Sequence, residues 1–434
     1  MLKKLIGTFG LRIISSISTL FLLILVTQNL GANGAGSVSL ITSAIAIIIL
    51  LNGFVGGSAL VYLLPRNKNR NFLRATLIIT YTWAILVSII STIAFTFFHF
   101  IDGAWVQHVL ILAFIGSLST CQAMILLAFE YVMACNITLL LQVFVNFLMF
   151  GFVCQVWEGV NLTHYLISIY LAYGCAYGFS WIFLVRIWRG LSWSDHSNFR
   201  LIVRQITAYG FLSQAGTTLQ FINYRVGLFI LNYYLTREMV GIYHVGLRLT
   251  EAVWMVPGSI AIVLYSRIAN LGDGKEAIDL TIKLAKFGLF IVTMLMVILI
   301  LLPQAVIVGI FGREFPQVKL VIIALAPGII SLGFASILAH YFAGIGHYGI
   351  NVLSSVIAFF ITIVGNLIFV PYFGMLAAAW VSGVAYLLQA IFLTFIFFKN
   401  QNVHWRNFLI NEMDIKYFRE LLFKITPLGF KKLG

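Results

Sequence analysis

Apolar runs of about twenty residues recur along this chain, and such a run is the length a helix needs to cross the hydrocarbon core of a bilayer. Inside that core every backbone N–H and C=O must find its partner within the helix or within a closed barrel. Twelve runs are read, at 9–29, 37–64, 75–98, 107–129, 137–157, 163–187, 207–234, 240–265, 284–303, 318–345, 349–370 and 376–398. The alternating ten-residue segments of a barrel do not occur, so the runs predict helices. Composition points the same way. With 61% hydrophobic and 9% charged residues, the chain lacks the polar surface to cover a water-soluble globule. The expected fold is an all-α polytopic membrane protein of twelve transmembrane helices.

The positive charges predict the orientation, because Lys and Arg are retained on the cytoplasmic side. Lys3, Lys4 and Arg12 precede or open the first run; Arg66, Lys68, Arg70 and Arg74 follow the second. Arg186, Arg189, Arg200 and Arg204 follow the sixth, Arg267, Lys275, Lys283 and Lys286 the eighth, and seven more cations run from Lys399 onward. Thus 22 of the 27 Lys and Arg fall on one side, against Arg237, Arg313 and Lys319 on the other. Both termini are expected in the cytoplasm, and most of the net charge of +14 is explained without nucleic acid. The first run follows two lysines as a secretory signal does, but it has no small-residue cleavage site and is read as a retained span.

Six runs precede a basic connector and six follow it. The expected organisation is an N-terminal six-helix lobe at 1–187, a cytoplasmic linker at 188–206, a C-terminal six-helix lobe at 207–398 and a basic amphipathic cytoplasmic tail at 399–434. In the tail Trp405, Phe408, Leu409, Phe418, Leu421 and Leu422 interleave with cations, as in a helix lying on anionic lipid. Gly274-Lys275 is followed by Glu276 and lacks the spacing of a phosphate loop. There is no HExxH, no GxSxG and no cysteine pair with ligand spacing among Cys121, Cys135, Cys154 and Cys175. Enzyme chemistry, a metal site and a cofactor are not expected.

Ionisable residues inside a span cost at least ~2.5–3.5 kcal/mol at the bilayer centre, so they face a cavity or a partner. Arg225, Arg248 and Glu251 stand out. In the seventh run Gln214, Thr218, Arg225 and Asn232 recur at offsets that share one helical face. In the eighth, His244, Arg248 and Glu251 do the same. Arg225 and Arg248 begin at similar depth on neighbouring antiparallel spans and are candidates to line one cavity. Arg248 and Glu251 either neutralise each other as an ion pair or serve transport; His244 is either a hydrogen-bonding helix-end group or part of coupling. Arg12, Ser15, Ser16 and Thr19 form a polar strip in the first run, and Gln142 with Asn146 a second in the fifth. Pro257 and Pro327 are candidate kinks, and Gly174-xxx-Gly178 a candidate close approach.

Several stretches resemble the polysaccharide flippases of the multidrug/oligosaccharidyl-lipid/polysaccharide exporter superfamily, of which Wzx is the best-known group. These are Leu30-Gly31 with Gly34 and Gly36; Val240-Gly241-Ile242-Tyr243 through Leu247-Arg248-Leu249 and Glu251 to Val256-Pro257; Phe311-Gly312-Arg313-Glu314-Phe315; and Asn366 with Val370-Pro371-Tyr372-Phe373-Gly374 and Ala377-Ala378-Ala379. The chain departs from the pattern at Ser37, where a tyrosine is usual, and at Leu376 or Ala377, where a glycine is usual. The resemblance implies two six-helix lobes around a central, partly cationic cavity that opens inward and outward in turn. It implies as cargo an undecaprenyl diphosphate-linked oligosaccharide for O-antigen, capsule or related glycan assembly. A bacterial inner-membrane location follows, with membrane lipids, a polysaccharide polymerase and a chain-length regulator as partners. Arg225 and Arg248, with Gln214, Thr218 and Asn232, are the expected binding residues, and Glu251 and His244 the expected coupling residues. The alternative is a cation-coupled multidrug antiporter of the same superfamily, which should show buried carboxylates in its first half.

Overall fold

A computed structural model describes residues 2–67, 69–192, 199–272 and 274–401, with side chains described from residue 10 onward apart from residue 212. The expected amphipathic tail lies outside the described residues. The helices are α1 Leu2–Gly56, α2 Ser58–Leu63, α3 Arg70–Phe97, α4 Gly103–Ala128, α5 Val132–Val156 and α6 Leu162–Gly190. They continue with α7 Phe199–Tyr234, α8 Arg237–Leu271, α9 Lys275–Leu301, α10 Gln304–Phe311, α11 Val318–Gly344 and α12 Tyr348–Gln401. Among the described residues the only extended pairing is an isolated bridge between Asn69 and Ser192.

α1 and α12 are 55 and 54 residues long. As straight rods they would measure about 80 Å, nearly three times the thickness of the hydrocarbon core. Each is broken at a glycine in the left-handed region: Gly31 at φ 65° and Gly374 at φ 67°. A residue with a Cβ is strained there. Nine helices among the described residues are long and apolar enough to cross a membrane, and two of these, α1 and α12, are long enough to do so twice. α7, the least apolar of the long helices because of its own polar residues, is not among the nine, although its 36 residues are long enough to span.

The chain packs as two compact units, Met1–Val245 with Gln304–Pro316, and Gly246–Pro303 with Gln317–Gly434. In the first unit, neighbours show that α1 reverses at Gly31. Before it, Phe21 meets the Phe147 ring and Leu25 reaches Gly151, so this half runs parallel to α5. After it, Ile49 meets Gly116, Asn52 donates to Ser117 and Gly56 lies against Cys121, so this half runs parallel to α4. α4 and α5 are themselves a hairpin, turned at Glu130 with φ 64° and pinned by Gln142 donating to Ser119 at 2.8 Å. Two halves that follow opposite strands of a hairpin must run oppositely. An apolar core of Leu60, Leu64, Phe72, Leu73, Ile125, Leu126 and Ile206 holds one end of this unit. α6 starts at a capping box in which Asn161 and His164 satisfy each other's backbone.

In the second unit α12 folds back on itself, since a Cβ on Gly365 would stand 2.7 Å from the Val381 side chain across the turn. α11 and the second half of α12 approach backbone to backbone at Gly328 and Gly383. The Pro257 ring of α8 packs against Gly333 of α11, whose added Cβ would lie 3.1 Å away. Helical geometry continues through Pro257 and Pro327, and the breaks in the long helices fall at glycines instead. The candidate close approach at Gly174 and Gly178 is not made among the described residues, none of which lies within 4 Å of a Cβ on either.

Candidate functional site

α7 carries the main polar stripe, and its register against the second half of α1 is antiparallel. Tyr62 lies 4.9 Å from Tyr209 by ring centroids, Ser58 donates to Ser213 at 2.9 Å, and Gly53 makes room for the Gln214 amide. At the other end Ser37 and Asn232 line one cleft. The four residues expected on one face therefore do share it, but Gln214 and Asn232 stand about 27 Å apart along the helix. They form a ladder and do not converge. Gln214 is wedged against Gly53. Thr218 and Arg225 are buried, at 3% and 4% exposure. The Arg225 guanidinium carbon lies 5.5 Å from the Phe221 ring centroid, a cation–π contact that partly compensates its desolvation. Asn232 donates to the Phe100 carbonyl at 3.5 Å, beside Trp105 and the Arg237–Asp102 ion pair.

The polar face of α8 is divided between the units. His244 is buried in the first, at 5% exposure. Arg248 and Glu251 belong to the second and form an i,i+3 ion pair at 3.2 Å, with side chains 35% and 20% exposed. Of the first-half strips, Ser16 and Thr19 return their hydroxyls to carbonyls four residues back. Gln142 is used by Ser119, and Asn146 accepts from Ser168 at 2.6 Å. Gln122, which the sequence reading passed over, donates to Tyr81 at 2.9 Å and accepts from Ser180. These pairs pin helices together in a setting where hydrophobic contrast with lipid is small.

Lys286 was counted among the loop cations, yet it is buried at 6% exposure, eleven residues into α9. The missed signal is that Lys286 already lies inside the apolar run at 284–303; α9 itself begins nine residues earlier, at Lys275. No Asp or Glu is buried among the described residues, whereas Arg225 and Lys286 are. Nor does any group of three or more His, Cys, Asp or Glu among them come together as a metal site.

Three of the glycine-bearing stretches singled out in the sequence meet at one end of the first unit. Glu314 accepts the Ala32 amide proton at 2.6 Å and sits where a Cβ on Gly31 would project. Gln28 donates to the Ile310 carbonyl at 2.8 Å. A Cβ on Gly36 would strike the Arg237 carbonyl, and one on Gly241 the Ala32 carbonyl. The turn at Gly31, the start of α8 and the loop after α10 thus form one packed clasp, with Ile307, Phe311 and Phe315 buried beneath it.

This helical arrangement is the fold of the transporters of the multidrug/oligosaccharidyl-lipid/polysaccharide exporter superfamily. An inward-facing multidrug resistance transporter of the MATE family aligns with TM-score 0.68 and 14% identity over 96% of this chain and 99% of its own. The lipid II flippase MurJ, in an inward closed conformation, aligns with TM-score 0.68 and 15% identity over 98% of this chain and 93% of its own. A superfamily transporter from Pyrococcus furiosus, described as having a binding pocket of reverse polarity that suggests a different function, aligns with TM-score 0.63 and 17% identity over 92% and 94%. No protein-family model matches the chain, and no curated protein matches it by sequence.

Proposed function

We propose that this chain is a flippase that carries an undecaprenyl diphosphate-linked oligosaccharide from the cytoplasmic to the outer leaflet by alternating access of its two six-helix lobes, 1–187 and 207–398. Its setting is the bacterial inner membrane with both termini cytoplasmic, and its product feeds O-antigen, capsule or related glycan assembly. The observation that carries this reading is the sign of the buried charge: cations are buried and carboxylates are not among the described residues. A diphosphate head leaving water needs fixed positive charge, and guanidinium groups offer it in a bidentate geometry. Arg225 and Arg248 supply that charge, with Gln214, Thr218 and Asn232 offering hydrogen bonds to phosphate and sugar. Glu251 releases Arg248 when cargo competes for it, and Glu251 and His244 are the groups that exchange a coupling proton.

A cation-coupled drug antiporter is the second reading, favoured by the partly buried Glu251 carboxylate as a site for an organic cation. Proteoliposomes separate the two. Dithionite quenching of a fluorescent undecaprenyl diphosphate-linked sugar should report flipping by the native chain and its loss in Arg225→Ala and Arg248→Ala, with all three proteins present in equal amount. Native flipping rates in both single variants and in the double variant would overturn the flippase reading. Exchange of an organic cation that depends on Glu251, with no flipping, would establish the antiporter.

A further inference from the structure

A cleft opens at one end of the first unit, where α1 just past Gly31, the turn between α3 and α4, the end of α7 and the start of α8 meet. Its floor is Ser37, Leu40, Ile41 and Ile101, all buried. Its rim is Phe100, Asp102, Trp105, Asn232 and Arg237, all half-buried or exposed. The space is about 240 Å³ with its open mouth included, and the inner part admits one water-sized group and no more.

The rim is built by the local chain. His99, in the left-handed region at φ 55°, turns the backbone so that the Phe100 ring stacks on Phe98 and meets Phe229. Asp102 stands at the N-cap of α4, yet its carboxylate does not cap that helix and pairs with Arg237 instead. Asn232 spends one amide N–H on the Phe100 carbonyl. Among the described residues these bonds leave one Asp102 oxygen and the Asn232 oxygen as acceptors, and the other Arg237 N–H groups and the Trp105 indole N–H as donors.

An ionised phosphate brings only acceptors and an ammonium ion only donors, so either would leave part of this rim unanswered. Neighbouring sugar hydroxyls both donate and accept, and the C–H face of a pyranose covers an aromatic ring. The inner part favours a methyl group over a hydroxyl, because Leu40, Ile41 and Ile101 are apolar and the Ser37 hydroxyl already donates to the Asn33 carbonyl. We propose that this cleft is a saccharide site, and that the sugar it takes carries a methyl group, as an acetamido or a 6-deoxy sugar does. The ring lies in the mouth against Trp105 and Phe100, its hydroxyls on Asp102, Arg237 and Asn232, and the methyl enters toward Leu40, Ile41 and Ile101. This deepens the functional reading above, on which it rests for the cargo, and assigns the glycan a contact at the Arg237 end of the unit.

The test uses the full chain purified in lauryldimethylamine oxide, a detergent without a sugar head. The probes are paired free sugars titrated by saturation-transfer NMR: N-acetylglucosamine with glucose, N-acetylgalactosamine with galactose, L-rhamnose with L-mannose, and L-fucose with L-galactose. At least one methyl-bearing sugar should bind, about fourfold more tightly than its partner, the gain from burying one methyl. Trp105→Ala should weaken that binding about tenfold, and Trp105→Phe, which keeps an aromatic face, by no more than about threefold. Asp102→Asn keeps the shape and loses the charge, and should weaken it about fivefold. Failure to bind any of these sugars, equal affinity within every pair, or native affinity in both Trp105→Ala and Asp102→Asn would each overturn the site. If no sugar binds while the native chain flips the lipid-linked sugar in proteoliposomes, this inference fails and the flippase reading stands. If the variants lose binding as expected and the native chain flips nothing, the site stands and the flippase reading falls.

Discussion

Removing the Glu314 carboxylate should loosen the clasp at Gly31 by a predictable amount. Glu314 accepts from Ala32, the first amide after the turn, where a helix has unpaired donors and partial positive charge. A hydrogen bond of this kind contributes about 1 kcal/mol at an exposed position, less than the ~1.5–3 kcal/mol usual for a charged partner, because water competes for both groups. Glu314→Ala should therefore raise the population of the opened clasp about fivefold, since about 1.4 kcal/mol is tenfold. Glu314→Gln keeps an acceptor and loses the charge, so its effect should be about half as large in free energy. Hydrogen exchange read by mass spectrometry is the assay. The reporters are the amide of Ala32 and those of Gly312 and Phe315, which are bonded to Val308 and Gly312 only while the loop keeps its shape. Unchanged exchange at all three in Glu314→Ala would refute the argument. Equal acceleration throughout α5 would refute it too, by showing a global effect in place of a local one.

Gly36→Ala and Gly241→Ala each drive a methyl into a facing backbone carbonyl, so each should lower the melting temperature or deplete the protein from membranes. Gly174→Ala, with nothing within 4 Å, should be neutral or stabilising by up to about 1 kcal/mol through helix propensity. Gln122→Leu removes the partner of Tyr81 and one partner of Ser180 in a fully buried setting, and should cost about 2 kcal/mol in denaturant unfolding. Wild-type stability there would show that the Tyr81 hydroxyl has another acceptor or donor within reach.

The helices were legible in the sequence to the extent that their apolar runs were. A helix covers each of the twelve runs, nine helices qualify as candidate spans among the described residues, and the turn expected after Leu30 is the break at Gly31. Ends were less legible, because a helix continues past its apolar run wherever its next residues find water or a neighbour. α7 starts at Phe199 and α9 at Lys275, eight and nine residues ahead of the runs at 207 and 284. Lys286 falls two residues inside the run at 284, so its charge groups it with the loop cations while its position already puts it in a helix, where it is buried. The short helix α10, Gln304–Phe311, has no counterpart among the runs at all. Periodicity put Gln214, Thr218, Arg225 and Asn232 on one face correctly. It carried no information on depth, so two buried residues, Thr218 and Arg225, and two half-buried ones looked alike.

What the sequence by itself determined is the demand that lipid makes on every backbone amide, and that demand is local. Each run of apolar residues had to become a helix whatever its neighbours, and each glycine turn freed the chain to reverse. Partners are decided elsewhere. Arg248 finds its acid three residues away, a contact the sequence could display, but Glu314 reaches Ala32 across 282 residues and Gln142 reaches Ser119 across a hairpin. Ser180 looks in the sequence like any other hydroxyl in a membrane span. Only the packing of α4 and α6 sets it against Gln122, because a hydrogen bond needs its partner within about 3 Å and sequence distance says nothing of that.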